Sequence, residues 1–186
     1  MTIRAIVCMV GAIACITFTA AGGTAAQADP WTPLRFLEGV WTGSGAGTSG
    51  DSVVVQTYTF ILNRHFLKME TRSEFKPQDK NPKGEIHEDF GIFSYDEQRK
   101  TFVMRGFYVE GFVNQYVAKT AEDGASLMFE TESIENAPAG TKARLEFLKK
   151  GPHEIEQNFY VAWPGRDFTC YSTNKLKKTA EGRVAR

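Results

Sequence analysis

From Val40 to Leu176 almost every segment alternates apolar and polar residues with period two, and the alternation breaks only at clusters of turn-forming residues. Successive side chains of a strand point to opposite faces, so this pattern belongs to half-buried strands and leaves no room for a helical core. The run from Leu67 to Phe75 shows the division. Lys68, Glu70, Arg72 and Glu74 form a charged face for water, while Leu67, Met69, Thr71, Ser73 and Phe75 form a mixed inner face. Slipping such a strand by one residue would bury its charges, so the pattern also fixes the register.

The spacing predicts strands over Gly39 to Gly45, Ser52 to Leu62, His65 to Phe75, Glu85 to Tyr95 and Lys100 to Tyr108. It predicts five more over Phe112 to Thr120, Ser126 to Ile134, Thr141 to Leu148, His153 to Trp163 and Asp167 to Leu176. Tight connections at Asn63-Arg64, Asp96-Glu97-Gln98-Arg99 and Pro164-Gly165-Arg166 join neighbours as antiparallel hairpins. About ten such strands can close into an all-β, up-and-down barrel, which removes the two edges that an open meander would expose. A β-sandwich is the alternative. The expected inward phase, however, carries Gln56, Thr71, Ser73, Glu88, Asn114, Thr131 and Gln157, and a barrel around a semi-polar cavity accommodates these better than a packed sandwich does. Ahead of the first strand, Leu34, Phe36 and Leu37 make the apolar side of one short helical turn that stops at Gly39, a plug for one end.

The N-terminal segment stands apart. Arg4 precedes an apolar run from Ala5 to Ile16, and Ala26-Gln27-Ala28 offers a small-residue cleavage site before Asp29, the pattern of an export signal over residues 1–28. A lipobox reading, with Cys15 becoming a lipidated N-terminus, is weaker because Ala12 stands where Leu is usual. An uncleaved membrane span would need about 20 apolar residues, more than this run supplies. Residues 29–176 are thus expected to form a single barrel domain, and residues 177–186, without regular apolar spacing, a disordered basic tail. The expected localisation is periplasmic or secreted. Cleavage would remove Cys8 and Cys15, leaving Cys170 without an internal disulfide partner; the alternation places it buried in a strand. The 22 basic and 22 acidic residues of the whole chain give no electrostatic footprint for nucleic acid.

Within the barrel the expected ligand contacts are the inward aromatics Tyr58, Phe90, Phe112, Tyr116, Phe129 and Phe159, together with Met69 and the polar Asn114 and Gln157. Glu88 with Arg105 on the next strand could form a buried ion pair or hold a ligand carboxylate. His87 and Asp89 share a face but lack a third metal ligand, so no metal site is predicted. Neither a nucleophile elbow nor a phosphate loop is present, and the glycines of Gly43-Ser44-Gly45-Ala46-Gly47 read as a mobile loop beside the cavity.

The opening Leu37-Glu38-Gly39-Val40-Trp41-Thr42-Gly43-Ser44-Gly45 resembles the first strand of calycin-like (lipocalin-like) barrels, particularly the nitrobindin group and related uncharacterised bacterial domains, and Tyr95-Asp96 resembles their hairpin corner. The resemblance implies a Trp plugging one barrel end, and haem bound through a late-strand histidine. His153 is the late histidine here, though it directly follows a Gly-Pro turn. The combined expectation is a non-enzymatic secreted or periplasmic barrel that binds a small hydrophobic molecule, such as a lipid or fatty acid. One alternative is a lipocalin-like isomerase or cyclase using Glu88 or His87 as proton shuttle; the other is an envelope structural or protein-interaction domain presenting outward aromatics such as Phe66, Phe107 and Tyr160.

Overall fold

A computed structural model of the protein describes residues 29–119 and 126–179. The export signal read over residues 1–28 lies outside the described residues. A single 3₁₀ turn (Arg35–Leu37) leads into ten strands: β1 (Gly39–Gly47), β2 (Gly50–Ile61), β3 (Phe66–Phe75), β4 (Glu85–Asp96) and β5 (Thr101–Tyr108). They continue as β6 (Val113–Lys119), β7 (Ser126–Glu135), β8 (Lys142–Gly151), β9 (Glu154–Ala162) and β10 (Thr169–Lys178). Every strand pairs antiparallel with its sequence neighbours, and β1 also pairs with β10, so the sheet closes as an up-and-down barrel. Closure leaves no edge strand, as the alternation predicts. Among the described residues no helix is long and apolar enough to cross a membrane.

The two ends of the barrel differ. At the end where β1 begins, Trp31, Leu34 and Leu37 from the N-terminal segment sink into the opening and bury against Trp41. The Trp41 indole N–H donates to the Leu37 carbonyl at 2.7 Å, tying plug to wall. Above them Phe93, Phe129 and Phe147 meet with ring centroids 5.4–6.4 Å apart, and with Leu67 and Met104 they fill this half completely. The filled half resembles an ordinary close-packed core. The far half is not filled.

Three expectations are corrected here. β10 runs on to Lys178, so Lys177 and Lys178 belong to the sheet and not to a tail; Lys178 NH donates to the His153 carbonyl at 2.9 Å. Residues 180–186 lie outside the described residues. Cys170 is exposed, because a bulge between Cys170 and Ser172 puts an extra residue into β10 and reverses the phase on its near side. Gly43 to Gly47 are β1 itself and form no loop.

Candidate functional site

The unfilled half of the barrel holds a cavity of about 290 Å³ that opens at the end opposite the plug. Its existence follows from side-chain size. Past Trp41 every inward position of β1 is glycine (Gly43, Gly45, Gly47), so this strand sends nothing into the interior of the upper half. Gly45 and Gly47 are themselves cavity wall. On the neighbouring strands the inward residues shrink or turn polar toward the same end, as in Met69, Thr71 and Ser73 of β3.

A polar belt forms the floor. Tyr58 OH donates to Gln56 Oε1 at 2.9 Å, Gln56 Nε2 donates to Gln157 Oε1, and Asn174 Nδ2 donates to the same oxygen at 3.2 Å, linking β2, β9 and β10 across the barrel. A second network covers the β5–β6 wall, where Tyr108 OH and Tyr116 OH lie 2.8 Å apart and Asn114 Nδ2 donates to Tyr116 OH at 2.8 Å. Burial raises the pKa of all three phenols: Tyr116 is pushed up to about 12, and Tyr58 and Tyr108 well above the ordinary tyrosine value. They therefore stay protonated and act as hydrogen-bonding groups, not as bases.

Toward the mouth, β4 presents His87 and Asp89. His87 Nε2 stands 3.6 Å from Asp89 Oδ2, an ion-pair separation longer than a hydrogen bond, and His87 Nδ1 stands 3.3 Å from Glu110 Oε1 on the β5–β6 connection. The Asp89 carboxylate is the largest cause of a raised His87 pKa; Glu110 and Glu85 add to it, and partial burial opposes it. A histidine whose folded pKa is raised contributes stability that is fully present below its unfolded value of about 6.5 and is lost as pH rises through the folded value. His87→Gln is therefore expected to destabilise the protein more at about pH 5.5 than at about pH 8.5. Denaturant midpoints of both proteins at the two pH values measure this, and an equal loss at both would refute it. Among the described residues no group of three His, Cys, Asp or Glu side chains is arranged to hold a metal ion.

The structure brings five of the expected ligand contacts to the cavity. Met69, Asn114, Gln157, Phe112 and Phe159 line the cavity, and Phe112 does so from just ahead of β6. Tyr116 is not itself cavity wall; it bonds two residues that are, Asn114 and Tyr108, the latter a residue that the pattern did not single out. Tyr58 and Phe129 face inward but belong to the packed layer beneath.

Four expected contacts are corrected. Glu88, Phe90 and Arg105 point outward, since the β3–β4–β5 register sets His87, Asp89 and Gly91 on the inner face. Glu88 lies 3.8 Å from Arg72 on the outer surface, and Phe90 stacks on Phe107 outside the barrel with centroids 4.8 Å apart. Of the two groups considered as a proton shuttle, then, only His87 faces the cavity. His153 is exposed in the β8–β9 turn at the plugged end, away from the cavity, and cannot ligate a haem held there. The inner acidic residues were missed because β4 carries Ile86, Phe90 and Ile92 on its water-facing side, which inverts the usual reading of an apolar phase. Counting back by twos from the buried Phe93 gives the correct face.

A closed ten-stranded antiparallel barrel, plugged at one end and hollow at the other, resembles the calycin and lipocalin-type folds. The crystal structure of Rv2717c from M. tuberculosis superposes with a TM-score of 0.63 at 17% identity, over 82% of this chain and 99% of that one. A redesigned β-barrel (TM-score 0.40, 10% identity, 78% of this chain and 94% of that one) is more distant. So is a DUF3598-family protein of unknown function from Nostoc punctiforme (TM-score 0.30, 8% identity, 81% and 99%). No family model and no curated protein matches the sequence.

Proposed function

We propose that this is a secreted or periplasmic binding protein that holds a small, partly apolar molecule in the open half of its barrel, without transforming it. The observation that carries the reading is the asymmetry of the interior: one half is packed to the axis, while the other encloses about 290 Å³ between apolar walls and a few fixed polar groups. Small-molecule sites have this make-up, and the volume lies just under their usual range of about 300–1,000 Å³, which suits a compact ligand. The Gly39-Val40-Trp41-Thr42-Gly43 opening supports kinship with the nitrobindin group, but the position of His153 gives that kinship no haem ligand.

The test needs no knowledge of the natural ligand. N-phenyl-1-naphthylamine, a neutral dye that brightens in apolar surroundings, is expected to bind the protein with 1:1 stoichiometry. Ala143 is buried on β8 and lines the cavity, so Ala143→Trp places an indole in the dye's space. Dye affinity is expected to fall about tenfold or more, a loss of roughly 1.4 kcal/mol, in a variant whose circular dichroism stays native. Absence of dye binding by the parent, or unchanged affinity in the folded variant, would overturn the reading.

A further inference from the structure

The charges around the cavity are one-sided. Glu85, Asp89 and Glu110 line it, and among the described lining residues there is no Lys or Arg. The single histidine there cannot balance them: even as an imidazolium, His87 leaves two negative charges in excess. Lys80 Nζ donates to the Gly47 carbonyl at 3.1 Å and lines a separate depression on the outer side of β1 and β10. A carboxylate entering this cavity would lose its hydration and meet like charge.

A second observation, independent of the carboxylates, gives the complementary half of the recognition. Three buried side-chain atoms among the described residues have no hydrogen-bond partner in the protein, and two of them, Thr71 Oγ1 and Asn114 Oδ1, belong to cavity-lining residues. Thr71 is 8% exposed and Asn114 5%. The Asn114 amide nitrogen is already committed to Tyr116 OH, so the group left over is a carbonyl oxygen, an acceptor that needs a donor. Thr71 sits opposite Asp89 in the β3–β4 ladder, which puts one unsatisfied oxygen beside the buried end of the acidic cluster. Unpaired buried polar groups are costly to a protein, and a ligand bearing N–H groups would satisfy both, the Asn114 oxygen that can only accept and the Thr71 hydroxyl that can accept as well as donate. The remaining walls supply aromatic faces, Tyr108 and Phe112 near Glu110 and Phe159, Trp163 and Tyr171 across from them, which suit a cation and an apolar body equally.

We infer that the cavity selects a protonated amine carried on a compact apolar or aromatic body, its ammonium group donating to Asn114, Thr71 and the Asp89 carboxylate, and that it discriminates against fatty acids and other carboxylates. The inference rests on the proposed small-molecule function and narrows it to a ligand class. It also argues against a ligand carboxylate held by Arg105, which points outward.

The experiment displaces bound N-phenyl-1-naphthylamine with three indoles that share a ring and differ in head group: tryptamine, tryptophol and indole-3-propionate, near neutral pH and at low salt. Tryptamine is expected to compete about tenfold more strongly than tryptophol, and the propionate more weakly than either. Asp89→Asn and Glu110→Gln each should bring the tryptamine-to-tryptophol ratio toward one; Glu110 is half exposed on a connection, so its variant is expected to fold even if the Asp89 variant does not. Equal competition by all three, strongest competition by the propionate, failure of all three to displace a dye that does bind, or an undiminished ratio in the Glu110 variant would each overturn the amine inference and leave the cavity function standing. If the parent binds no dye, both readings fall together.

Discussion

Trp41→Ala is expected to lower the unfolding free energy by about 3–5 kcal/mol, the range for deleting a fully buried aromatic side chain. Against a typical total of about 5–15 kcal/mol this is a large share, and at roughly 2–4 °C per kcal/mol it predicts a fall in Tm of about 6–20 °C. The size follows from where the indole sits. Trp41 is 1% exposed on the strand that closes the barrel, opposite Gln56 of β2 and Lys178 of β10, and it is the surface against which Leu34 and Leu37 are buried. Removing it opens a void under the plug and leaves the Leu37 carbonyl without its donor at 2.7 Å. Trp41→Phe separates the two effects: it keeps most of the apolar mass and loses the N–H, so it should cost about 1–2 kcal/mol. Thermal and denaturant unfolding of both variants measure this, and a Trp41→Ala protein within about 1 kcal/mol of the parent would show that the plug carries little of the fold.

Gly43→Ala should destabilise by about 3 kcal/mol, although replacing a strand glycine by alanine ordinarily gains roughly 0.5–1 kcal/mol. The sign reverses because of a close approach. A Cβ at Gly43 would stand 1.9 Å from the Lys175 carbonyl oxygen and 3.0 Å from the Leu176 Cα. Both are main-chain atoms of the paired strand, so no side-chain rotation can relieve the overlap, and β1 must move away from β10 at the seam that closes the barrel. Ser44→Ala, one residue along and exposed, is the control and is expected within about 0.5 kcal/mol of the parent. A Gly43→Ala protein as stable as that control would mean that the seam has slack. Gly45 and Gly47 continue the same inward row, and a Cβ at either would also stand 2.3–2.6 Å from atoms of the flanking strands, so close packing runs along β1 up to the cavity wall that these glycines form.

Strand existence was legible in the sequence because each strand has one face in water, and water selects polar residues regardless of what lies on the other side. The β2–β3 pair shows this well, since the charged face of β3 fixes its phase without reference to the interior. The hairpin at Asp96 was legible for a local reason: its carboxylate accepts from the Gln98 and Arg99 amides at 3.0 Å, a contact encoded within four residues. Phase failed on β4, where Ile86 and Phe90 are 54% and 43% exposed while His87 and Asp89 turn inward. A hydrophobic pattern assumes an apolar interior, and around a polar cavity that assumption fails. The β10 bulge that exposes Cys170 was invisible for a different reason, since one extra residue in one strand is defined only against its partner.

The sequence by itself determined an all-β chain of about ten antiparallel strands, the plug, and a semi-polar interior, because turn chemistry and two-residue periodicity are local properties. Only the tertiary structure decided which end is hollow and which charges face it. Those depend on the register of each strand against its neighbours, which turns Glu88 and Arg105 to water, and on the closure of β1 against β10, which gathers Asp89, Glu110, Thr71 and Asn114 around one cavity.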